Sequence, residues 1–405
     1  MSKIILHIDL NAFFVTCEII KNPTLKGKPV IIGHLGRAGI VSTCSYEARK
    51  QGVSSGMPTF KAVQLCKNAI ILPVDYNYYQ TKSHEFFNFV NKYATKIEMA
   101  SIDECFVDMS DELKKVADVT AYLRNFQNEL LKQTGLMCSI GVAPTKFLAK
   151  MASDMQKPLG LTIIRRKDVR KMIDPLPIED FFGIGKKTSP RLRQLGINTI
   201  GDLAKRINDD NDYEIKKELG KFSSVIKEWI NGYGDDNVEV EPYDPKSIGM
   251  SHTLNYDTND FDELKNQLVR ITKEVCSKAK YSKKIGTTVQ IVLKDNNFKV
   301  INRSKRLEKP TNKQDIIINY VIDLLEQNYD DSRMIRLVGV TLQNLLDEAS
   351  ASIQMSIFDD YETIKEEYAT TLLINELNRK MNKKVFKTAS EQLMENKNGI
   401  KWSNK

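Results

Sequence analysis

Apolar positions in the first 166 residues keep two rhythms. Short apolar or alternating runs read as strands at 4–9, 29–33, 39–44, 97–100, 104–108 and 138–143. Between them, spacings of three and four predict helices at 12–20, 58–66, 76–94, 114–133 and 145–155. Strands alternating with helices predict an α/β layer. Residues 167–232 read as helices with short turns. Gly232, Gly234, Pro242 and Pro245 then break the pattern over 233–246, which reads as a tether. From 247 to 345 sheet and helix alternate again, ending in Ile335-Arg336-Leu337-Val338-Gly339-Val340-Thr341-Leu342. The last sixty residues offer a helix near 361–382 and a basic end.

Three acids interrupt this apolar framework. Asp9 ends the run Ile4-Ile5-Leu6-His7-Ile8, and Asp103 and Glu104 lie in Ser101-Ile102-Asp103-Glu104-Cys105-Phe106-Val107-Asp108. Both segments read as buried strands, and acids rarely sit in a core unless something positive neutralises them. If the two strands pair, the three acids converge. That much negative charge facing phosphate chemistry is what a pair of Mg²⁺ ions requires.

A chain of 405 residues divides into two or more compact units, and 41% hydrophobic content is enough for real cores. No run of about 18 apolar residues predicts a membrane span. The N-terminus enters a strand without a basic-then-apolar leader, so no export signal is expected. Six scattered cysteines, none in a Cys-x-x-Cys pair, read as small core residues in a reducing, cytoplasmic setting rather than as zinc ligands. The net charge of +8 points mildly to a polyanionic partner. Its distribution says more: Arg270 to Lys309 holds twelve Lys or Arg against three acids. Interleaved with the strand-like Thr287-Thr288-Val289-Gln290-Ile291-Val292-Leu293, the run suggests a basic face carried on a sheet, with Arg303, Lys305 and Arg306 as candidate DNA contacts. Phe182-Gly183-Ile184-Gly185-Lys186-Lys187, followed by Ser189-Pro190-Arg191-Leu192, reads as a helix-hairpin-helix. Gly183 and Gly185 permit the tight turn, its free N–H groups suit a DNA phosphate, and Lys186 and Lys187 follow directly.

The motifs also stand in a recognisable order. His7-Ile8-Asp9-Leu10-Asn11-Ala12-Phe13-Phe14-Val15 is followed by Val41-Ser42-Thr43-Cys44-Ser45-Tyr46-Glu47-Ala48-Arg49. Then come Ser101-Ile102-Asp103-Glu104, Ser139-Ile140-Gly141-Val142-Ala143, Lys146-Phe147-Leu148-Ala149-Lys150 and Lys157-Pro158. This series resembles the Y-family translesion DNA polymerases, in particular the DNA polymerase IV (DinB-like) branch, up to about residue 345. The resemblance implies a multidomain α/β (α+β) right hand: palm at 1–19 and 74–166, fingers at 20–73, helical thumb at 167–232, linker at 233–246, little finger at 247–345 and a tail at 346–405. It implies error-prone, template-directed synthesis without proofreading, by a monomer acting on primer-template DNA and deoxynucleoside triphosphates. Asp9, Asp103, Glu104 and the backbone carbonyl of Leu10 would hold two Mg²⁺ ions, with Mn²⁺ as a possible substitute. Thr43, Tyr46, Arg49 and Lys157 would bind the triphosphate, and Phe14 would be the steric gate against a ribose 2′-hydroxyl. Gln354-Met355-Ser356-Ile357-Phe358 resembles the peptide that docks bacterial polymerases into the sliding clamp (β subunit): Gln354 as a polar anchor, Ser356 between, Ile357 and Phe358 as an apolar plug.

Two segments depart from the DNA polymerase IV pattern. Asn11 replaces the usual aspartate and resembles the UmuC side of the family; an amide brings no charge to a metal, so Asn11 is left out of the ligand set. Ser247-Ile248-Gly249-Met250-Ser251-His252-Thr253 also differs from the usual start of the little finger. Two other classes compete with a polymerase. A silent DNA- and clamp-binding relative should have lost one of the three acids, and all are present. A palm-type nucleotidyl cyclase predicts neither a helix-hairpin-helix nor a basic sheet domain.

Overall fold

The computed structural model describes residues 3–349 except 210 and 242, together with positions 373, 374, 377 and 386. The clamp-like segment 354–358, and nearly all of the helix read at 361–382, lie outside the described residues. The chain divides into two compact units, Met1–Asp244 and Pro245–Lys405.

The first unit opens with β1 (Ile5–Leu10), α1 (Phe13–Lys21), β2 (Val30–Gly33), β3 (Val41–Cys44), α2 (Tyr46–Lys50), α3 (Thr59–Leu65) and β4 (Ile70–Leu72). It continues through α4 (Tyr76–Val90), β5 (Ile97–Met99), β6 (Glu104–Asp108), α5 (Ser110–Leu113), α6 (Val119–Thr134), β7 (Cys138–Ala143), α7 (Lys146–Asp154) and β8 (Leu161–Ile163). Five helices close it: α8 (Val169–Ile173), α9 (Ser189–Gln194), α10 (Ile200–Ile207), α11 (Tyr213–Leu219) and α12 (Phe222–Ile230). The helix expected at 114–133 starts later, where Asp118 accepts from the Ala121 N–H and caps α6. The short β4 and β8 were not among the strands the periodicity predicted.

The main sheet runs β5-β6-β1-β7-β8, antiparallel except for β7-β8. Strand alternation sorts β1. Leu6, Ile8 and Leu10 enter a core with Phe86, Phe89, Leu123, Phe126 and Leu130 from α4 and α6. Ile5 joins a core with α7, and His7 and Asp9 share its face. That core runs on into α8–α12: Phe147 stacks on Trp229 at 4.5 Å and lies 4.9 Å from Phe181. Gly141 makes this face possible, since a Cβ there would meet Ala149 O at 2.0 Å and Ser153 N at 2.4 Å. Its absence lets α7 lie directly on the sheet. A second, three-stranded sheet, β3-β2-β4, packs Ile31, Val41 and Cys44 against Ala48 of α2 and Ala62 of α3. All six cysteines are free and buried.

The stretch read as a tether begins as packed chain. Lys146 pairs with Asp235 at 2.5 Å and with Glu98 at 3.0 Å, Lys3 pairs with Asp236 at 3.2 Å, and Val238 is buried in the core beside α7. The breaking residues prevent regular structure there, but the carboxylates of Asp235 and Asp236 fasten the segment to Lys146 and Lys3.

The second unit is a sheet of order β11-β10-β12-β9, from β9 (Ser247–Thr258), β10 (Lys284–Asp295), β11 (Val300–Thr311) and β12 (Ile335–Asp347). Its helices α13 (Phe261–Tyr281) and α14 (Gln314–Asn328) cover one face, burying Val289, Ile291, Leu293, Val338, Val340 and Leu342. Among the described residues, no helix is long and apolar enough to cross a membrane.

Candidate active site

The register of β1 on β6 sets Asp9 opposite Glu104. Directly opposed antiparallel residues share a face, so both carboxylates point towards α7. Asp103 precedes β6, and its carbonyl accepts from the Leu10 N–H at 2.9 Å. The expected convergence of the three acids is therefore present at the ends of two paired strands.

The charges that face these acids come mainly from α7 and the turn after it. Lys150 Nζ lies 2.6 Å from Glu104 Oε2 and 3.1 Å from Asp9 Oδ2. Lys157 Nζ lies 2.8 Å from Asp9 Oδ2 and 2.7 Å from Asp154 Oδ1. Burial opposes the charge on Lys150, but Asp9, Asp154 and Glu104 outweigh it and raise its pKa. Lys157 is likewise raised, by Asp9 and Asp154 against opposing burial. Behind the acids, the fully buried His7 sets Nε2 3.4 Å from Glu104 Oε2 and Nδ1 2.8 Å from Ser153 Oγ. Burial lowers the His7 pKa. The Glu104 carboxyl is held down at about 2, by His7 first and by Lys150 next, against the penalty of burial. Asp103 moves the other way: burial raises it, and the charges of Asp9 and Glu104 add to that rise. Hard divalent cations take carboxylate oxygens, and this cluster draws ammonium groups onto two of its members while the third resists ionising, so the donor set fits such a cation. His7 Nε2, Asp9 and Glu104 offer ligand atoms within 4.8 Å of one another.

Beside the acids opens a cavity of about 300 Å³ lined by Asp9, Leu10, Asp103, Phe14, Thr43, Tyr46, Arg49 and Lys157, with Ala12, Phe13, Ser42 and Ser55. Every expected acid except Glu104, the expected gate and all four expected triphosphate ligands thus border one space. Ser45 accepts from the Ala48 N–H and caps α2, which carries Tyr46 and Arg49 on its first turn. The Arg49 guanidinium lies over the Tyr46 ring at 5.0 Å, and its Nε donates to Cys44 O at 3.2 Å. Burial raises the Tyr46 pKa, with Arg49 and Lys157 opposing. Phe14 stacks on the buried Tyr79 at 4.3 Å and 14°, so the ring is backed and cannot easily retreat. Phe13 is buried at 2% exposure.

Sequence reasoning did not assign His7, Lys150, Asp154, Ser42 or Ser55. The signal for Lys150 was available: Lys146, Lys150 and Asp154 stand four apart on one helix face, with Lys157 three further on. Its direction towards Asp9 and Glu104 was not, because it depends on how closely α7 lies on the sheet.

The DNA-facing candidates divide. Lys186 and Lys187 are exposed in the turn before α9, after Gly183 at φ +99° and Gly185. In the second unit, Arg303 opposes Ile291 and Lys305 opposes Val289, on the helix-covered side of the sheet. There Arg303 donates to Asn328 at 2.8 Å and Lys305 pairs with Asp323 at 3.3 Å, both partners on α14. Arg306 opposes Thr288 on the open face. That face carries Gly249, Ser251, Gln290, Ser304, Gly339 and Thr341, with Lys294 and Arg306 as its cations between 288 and 294 and their partners. The expected basic sheet face is instead sparsely charged, its small and polar residues interspersed with Val292, Val300 and Leu337.

Comparison with known proteins bears on this arrangement. Residues 8–154 match the impB/mucB/samB family, 245–357 its C-terminal domain, and 166–197 the IMS family HHH motif. A DNA polymerase IV of Oceanobacillus iheyensis is 37% identical over 383 residues, covering 93% of this chain and 89% of that protein. DNA polymerase IV 1 of Bacillus subtilis is 36% identical over 95% of this chain and 91% of its own length. Among solved structures, a Y-family DNA polymerase chimera of Dbh and Dpo4 superposes with a TM-score of 0.75 at 30% identity, covering 85% of this chain and 99% of its own. DinB from Sulfolobus solfataricus gives 0.57 at 31% identity over 84% of this chain and 99% of its own. With paired acids, the cavity beside them and these likenesses together, the chain belongs to the impB/mucB/samB family, as a DinB-like Y-family DNA-directed DNA polymerase with palm, thumb and little finger.

Proposed function

We propose that the chain extends a primer 3′ end across damaged templates, by in-line attack of the 3′-hydroxyl on the α-phosphate of a deoxynucleoside triphosphate bound in the 300 Å³ cavity. The observation that carries this reading is the register of Asp9 on Glu104, beside a cavity whose other wall is Tyr46, Arg49 and Lys157. Asp9, Asp103, Glu104 and the Leu10 carbonyl are the proposed holders of two Mg²⁺ ions, for which Mn²⁺ is a possible substitute. Such a pair, when bound, supplies positive charge to the entering and leaving oxygens. Lys150 leans on Asp9 and Glu104, and Lys157 on Asp9, so they hold those carboxylates in place. Arg49 offers a planar fork to phosphate oxygens, Lys157 a point charge, and Thr43 and Tyr46 hydroxyl donors. Phe14, backed by Tyr79, lies where a ribose 2′-hydroxyl would overlap it.

Primer-template DNA is the proposed partner, and a similar chain, 30% identical, is known as an insertion ternary complex of Dbh DNA polymerase. Lys186, Lys187 and Arg306 are the exposed cations proposed to meet its phosphates; for Arg303 and Lys305 that role requires release from α14. The domain boundaries read from the sequence are proposed here, with residues 235–239 of the linker fastened to the first unit. Recruitment by the sliding clamp through Gln354, Ser356, Ile357 and Phe358, and action as a monomer, are proposed from the sequence alone. Primer extension on plain and damaged templates, with Mg²⁺ and with chelator, tests the whole reading. Extension that survives chelation, or stops at every lesion, overturns it.

A further inference from the structure

Asn11, the departure that contributes no charge to the acids, is 1% exposed and fully engaged. Its Oδ1 accepts from the Leu159 N–H at 2.8 Å, and its Nδ2 donates to Ser139 Oγ at 2.9 Å. The orientation of the amide is fixed chemically, since a backbone N–H can meet only the oxygen. Ser139 Oγ also accepts from the Gly160 N–H at 3.1 Å. On the other side of the same turn, Gln127 Nε2 donates to Gly160 O at 3.0 Å and Arg124 donates to Leu159 O at 2.6 Å. Both backbone N–H groups and both carbonyls of residues 159 and 160 are therefore held. Leu159 needs this, because its φ of +57° is unfavourable for a residue with a Cβ. Two residues earlier in the same turn, Lys157 reaches Asp9 and lines the cavity.

We infer that Asn11 is a positioning residue for nucleotide binding, tying the strand that carries Asp9 to the turn that presents Lys157. The inference rests on the reading of the cavity as the triphosphate site. It explains why an amide serves at this position: one side chain must accept from a peptide N–H and also bond a buried serine. An aspartate can do the same with Ser139 donating, so charge is not the property in use. Because the link holds a cation that meets the substrate before reaction, its loss weakens ground-state binding more than turnover.

The test is single-nucleotide incorporation kinetics on the full chain, below the melting temperature of each variant. Asn11→Ala should raise KM for the incoming nucleotide on the order of tenfold, with kcat within about threefold. Asn11→Asp should restore KM. In a Lys157→Ala background, Asn11→Ala should add almost nothing, because the link would then present no cation. Ser139→Ala reads the same connection if Asn11→Ala does not fold. A merely structural role lowers kcat through a smaller active fraction and leaves KM alone; that result, or additive effects with Lys157→Ala, overturns the inference. If Lys157→Ala itself leaves KM unchanged, the nucleotide-site reading fails instead.

Discussion

The two larger sheets of this protein handle charge in opposite ways. In the first unit, Asp9 and Glu104 sit at paired strand ends and are matched by Lys150 and Lys157 within 3.1 Å. In the second, the open sheet face holds glycines, serines, threonines and glutamines, while Arg303 and Lys305 turn to α14. The difference teaches where each function spends its electrostatics. Chemistry at one phosphate needs concentrated charge, which survives burial only when paired. On the proposed reading the second face meets a long polyanion, where small polar side chains permit close approach and Arg306 supplies charge.

The largest effect should come from breaking the charged side. Asp103→Ala with Glu104→Ala should abolish primer extension while duplex binding, read by fluorescence anisotropy, stays within a few-fold. Equal loss of both would erase the division of labour between the sheets. Phe14→Ala comes next: ribonucleotide incorporation should rise by about two orders of magnitude relative to deoxynucleotide, because overlap with a packed ring is removed. On the other sheet, Arg306→Ala should weaken DNA binding uniformly across sequences and reduce the salt slope by about one. Lys305→Ala should do less, its ammonium being paired with Asp323. Deleting 354–358 should remove clamp stimulation and leave basal synthesis.

The smallest effect sharpens the electrostatics. The folded-state pKa of Asp103 is raised, so its contribution to stability is complete only below the unfolded value and is lost as pH rises through the folded one. At pH 7 its charge therefore costs stability, and Asp103→Asn should raise the melting temperature in chelator. Saturating Mg²⁺ should stabilise the parent chain and shrink that advantage. A variant that melts lower in chelator would mean that Asp103 is satisfied without a cation.

Much of the candidate site was legible in order. Strand-end acids and the paired phenylalanines are local signals, and each landed on the element expected, whereas the short helix Tyr46–Lys50 that carries Tyr46 and Arg49 was not among the predicted helices. The partners of the acids were less legible. His7 reads as one more residue of an apolar strand, and Lys150 as a solvated helix position. Asn11 was visible as an anomaly, yet its bonds to Ser139 and Leu159 span 128 and 148 residues of chain. In the second unit, composition located the basic stretch but not its faces. Side-chain direction there follows pairing register, and β10 pairs irregularly with β11 between Gly286 and Thr288.

By itself, then, the sequence determined most of the strands and helices, which acids end paired strands and which family the chain resembles, because those depend on periodicity and on residue types at fixed spacing. The tertiary structure alone decided which charges meet. Gly141 lets α7 lie on the sheet and brings Lys150 to Asp9 and Glu104. Register turns Arg303 and Lys305 away from the open face, and an amide at position 11 holds the turn that carries Lys157. Opposite charges attract over a few ångströms, and only folding sets distances of that size between residues far apart in the chain.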